Sequence, residues 1–448
     1  MKASMLTTSL FAAFVSIVTI AAGEMIVPAG SPFSLTGKLN SPYISCQGGT
    51  AYLQLTIIAP DIGTPRRAPM NLSVVLDRSG SMEEEGKIEN AKSALMSLID
   101  QLREDDIFSL VIYDDVIEVL QSAAHVGDKS RLKALVERIA PRGSTNLGGG
   151  MVEGFHQVEC NLGKDYINRV VLLSDGLANV GLTDPRDLDR IARRERAKGI
   201  SITTMGVGLD YNENLMMGIA ENGSGNYYFI ESPRSIVSIM KKEFHLLASL
   251  CARDAQLELR LGRNVVLQDA IGYEWKSVDG RCIVPLGDIY SGDRRELTLE
   301  VRVPEGAGTL TVASGNLQYD ALGVTSPVAP SFSASLEYTA DLGVVEQHRD
   351  VETQAKADVA VSTRAVEKAT QALDEGKTEE AAQDLHAAQQ TLSASPAAGA
   401  MGAGGEAIRN QAQRLDDFQS MIKDSTGDVR HAKKAIQYEN YKQQKGKN

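Results

Sequence analysis

Apolar residues recur along this chain with two different periods, and the change of period divides it. Between about residues 67 and 250, compact apolar runs such as Leu72 to Leu76, Val170 to Leu173 and Ile200 to Val207 read as buried strands. Between them, Ile88, Ala91, Leu95, Leu98 and Leu102 recur at helical spacing, and so do Leu147, Met151, Phe155 and Val158. Asp184-Pro185 predicts an N-cap followed by a first-turn proline, with Gly199 closing that helix. A last helix is expected from Ser232-Pro233, with Ile236, Met240, Phe244 and Leu247 on one face. Strands alternating with helices imply an α/β fold whose sheet is doubly wound and mostly parallel.

Outside that span the period is two. Leu53, Leu55 and Ile57 alternate with polar residues before it; Leu257, Leu259 and Leu261, then Leu297, Leu299, Val301 and Val303, alternate after it. Turn signals at Asp279-Gly280 and Ser291-Gly-Asp separate these runs, as in an antiparallel β-sandwich with one face in water. Residues 24–66 are too few to build a sandwich alone. They are expected to pair with 251–343, which makes the 67–250 domain an insertion into the sandwich. From 344 to 448 the composition shifts to Ala, Gln, Glu and Lys, and the stretch around Gly376 reads as a helical hairpin similar to a single tetratricopeptide unit. A Ser-, Pro-, Ala- and Gly-rich linker is expected at 393–405, then a helix over roughly 406 to 424. The basic end from Arg430 reads as a solvated helix end, with a tail for a membrane surface or an anionic partner the alternative.

The apolar runs end in carboxylates, and that is where the chemistry concentrates. Leu76-Asp77-Arg78-Ser79-Gly80-Ser81 places Asp77, Ser79 and Ser81 on one side of an extended segment. Thr145 sits in a glycine-rich loop that opens a helix, and Asp175 ends another apolar run. In an open parallel sheet ligands bind beyond the carboxyl ends of the strands, where the strand order reverses, so both aspartates are expected there. An all-oxygen set with few formal charges suits Mg²⁺ or Mn²⁺, with Ca²⁺ also possible, and leaves room for an outside ligand.

These residues resemble the metal-ion-dependent adhesion site of von Willebrand factor type A domains, over roughly residues 67 to 250. The resemblance implies Asp77, Ser79, Ser81, Thr145 and Asp175 as metal ligands, direct or through water, and a protein partner offering an Asp or Glu carboxylate. Arg78, Gly148 to Gly150 and Gly176 to Asn179 would shape specificity, and Glu83 to Glu85 would add negative potential. It also implies that displacement of the last helix, about 233 to 250, is relayed through Cys251 into the sandwich. The arrangement is similar to bacterial secreted proteins grouped with calcium-activated chloride-channel-like proteins, to the integrin β insertion and, centrally, to inter-α-trypsin inhibitor heavy chains.

At 448 residues, with 43% hydrophobic residues, two or three domains are expected. Residues 1–23 read as a secretory signal peptide, or alternatively an uncleaved membrane anchor, so the protein is expected to be secreted or periplasmic. Cys46, Cys160, Cys251 and Cys282 are compatible with two disulfides in any of three pairings, with Cys160 as a buried free thiol the other reading. A net charge of −12 argues against general nucleic-acid binding. No GxxxxGK[ST] or GxSxG occurs, and His156, Glu159 and Cys160 lack metalloprotease spacing, so a non-enzymatic role is expected. Two alternatives stand beside it: a Mg²⁺-dependent hydrolase with Glu84 as base, and an envelope component whose sandwich and helices make the contacts. Asp210 and Glu213 form an acidic turn, with a second cation site the alternative.

Overall fold

The computed structural model describes residues 33–61, 67–321, 329–425 and 429–446. The expected signal segment, 1–23, lies outside them, and none of the described helices is long and apolar enough to cross a membrane.

Three strands lead in: β1 (Ser34–Leu39), β2 (Tyr43–Ser45) and β3 (Gly49–Ile58). The α/β domain follows as β4 (Met70–Asp77), α1 (Lys87–Gln101), β5 (Ile107–Tyr113), β6 (Ile117–His125), α2 (Lys129–Glu137), α3 (Leu147–Glu159), β7 (Ile167–Ser174), α4 (Pro185–Arg196), β8 (Ser201–Val207), α5 (Glu213–Asn222), β9 (Tyr227–Ile230) and α6 (Ile236–Ala248). Its sheet runs β6-β5-β4-β7-β8-β9, parallel except for edge strand β6. Every residue of β4 and β7 is buried, which explains why they read as continuous apolar runs rather than alternating ones. Successive β4 residues serve opposite faces: Val74 and Leu76 pack with α1 and α6 residues such as Leu95 and Phe244, while Val75 packs with Phe155 of α3 and Ile219 of α5. The domain is therefore doubly wound. Asp184 caps α4 through the Arg186 amide, and Gly199 turns with φ 89° ahead of β8, both as the sequence implies.

The chain then returns to the sandwich through β10 (Leu250–Leu261), β11 (Val266–Ala270), β12 (Lys276–Val278), β13 (Arg281–Tyr290), β14 (Arg294–Val303), β15 (Thr309–Ala321) and β16 (Ser331–Thr339). One sheet is β1-β3-β14-β11 and the other β12-β13-β10-β15-β16-β2. Strands from before and after the α/β domain thus share both sheets, and Leu53, Leu55, Leu257, Leu259, Leu297 and Leu299 share one core. The pairing is antiparallel except that β2 adds parallel to β16.

The C-terminal part is helical: α7 (Leu342–Gln347), α8 (Val351–Asp374), α9 (Thr378–Ser393), α10 (Ala403–Asp424) and α11 (Arg430–Lys445). Gly376, at φ 74°, joins α8 to α9 as expected for a helical hairpin. Two expectations fail. The basic end is not a solvated helix: α11 buries Ala432, Ile436 and Tyr441 and lies against β9 and α8, because one of its faces carries an apolar stripe that charge counting overlooks. The cysteines are all free thiols, and Cys160 is exposed rather than buried. Cys282 pairs opposite Leu259, so it stands roughly 25 Å along β10 from Cys251 at ~3.3 Å per residue, far beyond disulfide reach.

Candidate metal centre

β4 and β7 are the two central, adjacent strands, and their carboxyl ends deliver Asp77 and Asp175 side by side. Both carboxylates are fully buried. Asp77 Oδ1 accepts the Ser79 amide at 2.8 Å, and its Oδ2 accepts the Ser174 hydroxyl at 2.5 Å. Asp175 Oδ1 accepts the Ser81 hydroxyl at 2.8 Å, and Ser79 Oγ lies 3.2 Å from Ser81 Oγ. Thr145 arrives from the loop before α3: its amide donates to Asn179 Oδ1 at 2.9 Å, and its carbonyl accepts from the Asn179 amide at 3.1 Å. A Cβ at Gly176 would stand 3.1 Å from Thr145 Oγ1 and 3.7 Å from Ser81 Oγ, so the two hydroxyls converge over a backbone position kept bare. All five residues singled out from the sequence are therefore brought to one place.

Burial pushes the Asp77 carboxyl up to about 6, against the hydrogen bonds from Ser174 and Ser79 and with a further push from the Asp175 charge. Two buried carboxylates face one buried ammonium, that of Lys87, whose Nζ meets Asp175 Oδ2 at 2.7 Å. The site thus carries an excess negative charge among hydroxyl oxygens. The chemistry of this donor set fits a hard divalent cation, which Asp77, Ser79, Ser81, Thr145 and Asp175 would hold.

Lys87 and Ser174, which bond to the two aspartates, and Asp114 are positions that the pattern of the sequence passes over. Asp114 Oδ2 binds Arg78 Nε at 2.9 Å and Arg142 Nε at 2.7 Å, and its backbone carbonyl accepts the Asn146 amide at 2.8 Å. It ties the loop that carries Thr145 to the turn that carries Ser79. Arg78 is consequently buried in a brace between Asp114 and Glu118, not exposed to select a ligand as the resemblance implies. Gly148 to Gly150 lie within the first turn of α3, where a Cβ at Gly148 would meet the Leu182 carbonyl oxygen at 2.5 Å. The acidic turn near 210 serves neither metal nor solvent alone: Asp210 pairs with Arg430 at 2.9 Å, and Glu213 pairs with Lys433 at 2.6 Å and with Lys434.

Residues 71–242, which form this α/β domain, match the von Willebrand factor type A domain family. The chain is 27% identical over 281 residues to the uncharacterized protein YfbK of Escherichia coli K12, an alignment covering 61% of this chain and 49% of YfbK. It is 25% identical over 196 residues to inter-alpha-trypsin inhibitor heavy chain H2 of Mesocricetus auratus, covering 42% of this chain and 21% of the heavy chain. The chain thus spans about half the length of YfbK and a smaller part of the heavy chain. Among solved structures, a von Willebrand factor type A protein from Catenulispora acidiphila superposes with a TM-score of 0.71 at 16% identity, covering 93% of this chain and 98% of that one. The shared fold therefore takes in the sandwich and the helices as well as the inserted domain.

Proposed function

We propose that this protein is an extracytoplasmic, metal-dependent protein-binding module. In this reading Mg²⁺ held by Asp77, Ser79, Ser81, Thr145 and Asp175 completes its shell with an Asp or Glu carboxylate of a protein partner. The observation that carries the reading is the pair of buried carboxylates at neighbouring strand ends, converging with three hydroxyls and offset by a single lysine. Mg²⁺ typically keeps exchangeable positions in its shell, and an outside carboxylate is a hard donor of the right charge. A binding rather than catalytic role is supported by the serines: Ser81 donates to Asp175 and lies 3.2 Å from Ser79 Oγ, which positions both oxygens toward the site, and neither hydroxyl bonds to a histidine among the described residues. The location outside the cytosol rests on the signal-like residues 1–23.

Calorimetric titration of Mg²⁺ and Mn²⁺ into the protein and into an Asp77→Ala/Asp175→Ala variant tests the proposal, with circular dichroism as the control for folding. Saturable binding by the parent alone is expected. Equal binding by both proteins, or none by the parent, would overturn the assignment. Thr145→Ala then separates partner capture from a scaffold role, because it should abolish metal-dependent capture while leaving sandwich and helices untouched.

A further inference from the structure

A second site lies on the far edge of the parallel sheet, at the starts of β8 and β9 rather than at the carboxyl ends that carry Asp77 and Asp175. There a cavity of about 550 Å³ opens where the end of α4, the turn between α5 and β9, the sandwich strands β10 and β13, and the last turn of α11 meet. Its size and its place at a junction between domains are those of small-ligand sites.

The floor is irregular backbone. Ser224 and Gly287 both take left-handed conformations, φ 55° and 73°, and a Cβ at Gly287 would stand 3.9 Å from Ser224 Cβ. Gly287 belongs to a bulge, since the register of β10 with β13 slips between the Ala255/Gly287 and Gln256/Pro285 pairs. Ser224 is 7% exposed, and its hydroxyl has no hydrogen-bond partner among the described residues.

Trp275 and Tyr273, both half-buried, line the same cavity. Around them stand the side-chain amide of Gln256 and two ion pairs, Arg196 with Asp254, and Lys445 with Glu221 at 3.0 Å. Lys445 Nζ also lies 4.5 Å from the Tyr273 ring centroid and donates to the Gly272 carbonyl at 2.7 Å, which holds the aromatic loop in place. The two ion pairs cancel their own charges, and the other charged side chains of the wall, among them Arg193, Glu274 and Lys276, are of mixed sign. They do offer adjacent donors and acceptors in fixed positions, beside aromatic faces. We propose that this cavity binds a neutral sugar unit, whose C–H face stacks on Trp275 and whose hydroxyls pair with Gln256 and the Arg196–Asp254 pair.

Trp275 is the only tryptophan of the chain, so its fluorescence reports the cavity directly. The full chain is titrated with cellotriose, maltotriose and chitotriose up to about 10 mM, in Mg²⁺ and again in EDTA. A saturable emission change with at least one trisaccharide is expected, unaffected by chelation. Calorimetry with that sugar should show at least a tenfold loss of affinity, about 1.4 kcal/mol, in both Trp275→Ala and Gln256→Ala. Gln256 is a half-buried strand residue whose truncation leaves the core intact, so it answers even if Trp275→Ala folds poorly. No saturable response to any of the three sugars overturns the proposal. So does a response abolished by EDTA, or an affinity unchanged in Gln256→Ala.

Discussion

Lys87 stands at the first position of α1, where the positive end of the helix dipole disfavours a cation, and it is 3% exposed. A lysine tolerates that position only if a buried carboxylate repays it, and Asp175 does. Lys87→Met should therefore leave Asp175 uncompensated and lower stability in EDTA by about 3 kcal/mol, the scale for breaking a buried pair. Removing a positive charge beside the cation should also tighten Mg²⁺ binding, so added Mg²⁺ should restore part of the loss. Urea denaturation with and without Mg²⁺ measures both effects; a variant that binds Mg²⁺ more weakly than the parent would contradict this account. Asp77 supplies the pH dependence. Its carboxyl titrates near 6 in the folded chain, above its ordinary value of 3.8, so folding favours its protonated form. That stabilising contribution is complete below about pH 3.8 and is lost as pH rises through about 6. A cation needs the deprotonated form, so Mg²⁺ affinity should fall by about tenfold per pH unit below 6 and level off above it. Calorimetry at half-unit steps from pH 5 to 7.5 checks this, and a flat profile would show that Asp77 is already ionised without metal.

At the scale of elements, the glycines of α3 show how sequence and packing part company. Ala is the better helix former, yet a Cβ at Gly154 would stand 2.3 Å from Val75 Cγ2 and 3.2 Å from Val170 Cγ1, both fully buried in the central strands. Gly154→Ala should destabilise the protein by about 1–3 kcal/mol by overpacking, read as a lower urea midpoint with an unchanged slope. An unchanged midpoint would mean that α3 can back away from the sheet. The same logic decides what was legible beforehand. β4, β7 and their terminal aspartates could be read because burial on both faces leaves an uninterrupted apolar run that a carboxylate ends abruptly. The sandwich strands announced themselves by period two, and the insertion followed from the shortage of residues before Asp77. Lys87, Ser174 and Asp114 could not be read that way, since each acts through a contact between segments far apart in sequence. The misplaced charge of Lys87 was the one local signal available. The docking of α11 was missed because its lysines drew attention to charge while Ile436 and Tyr441 carried the contact. The free cysteines likewise depend on strand register, which composition does not encode.

At the scale of the whole molecule, α11 joins the last residues of the chain to the α/β domain inserted more than two hundred positions earlier. Tyr438 and Tyr441 meet Tyr227 of β9 edge-on, with ring centroids 5.8 and 5.7 Å apart, and Lys433 and Lys434 converge on Glu213 at the start of α5. Burial alone would raise the Glu213 carboxyl, but the hydrogen bonds from the two lysines outweigh it and hold it below its ordinary value. A carboxyl depressed on folding contributes stability that is present above its unfolded value of 4.5 and disappears as pH falls through the lower folded value. Acidification through that window should therefore loosen α11 from the domain in the parent. In Glu213→Gln the clamp is already broken, because two buried ammonium groups face a neutral amide, and this source of pH dependence is gone. Hydrogen exchange of the α11 amides compares the two proteins: protection should fall with pH below 4.5 in the parent, and should be low and flat in the variant. Because α11 meets the carboxyl edge of the sheet at Asp210, Tyr211 and Glu231, beyond β8 and β9 rather than at the ends of β4 and β7, Mg²⁺ affinity at pH 7 should be the same in both. If α11 stays protected in Glu213→Gln, its tyrosines and Ile436 suffice to dock it and the charge cluster only sets its register.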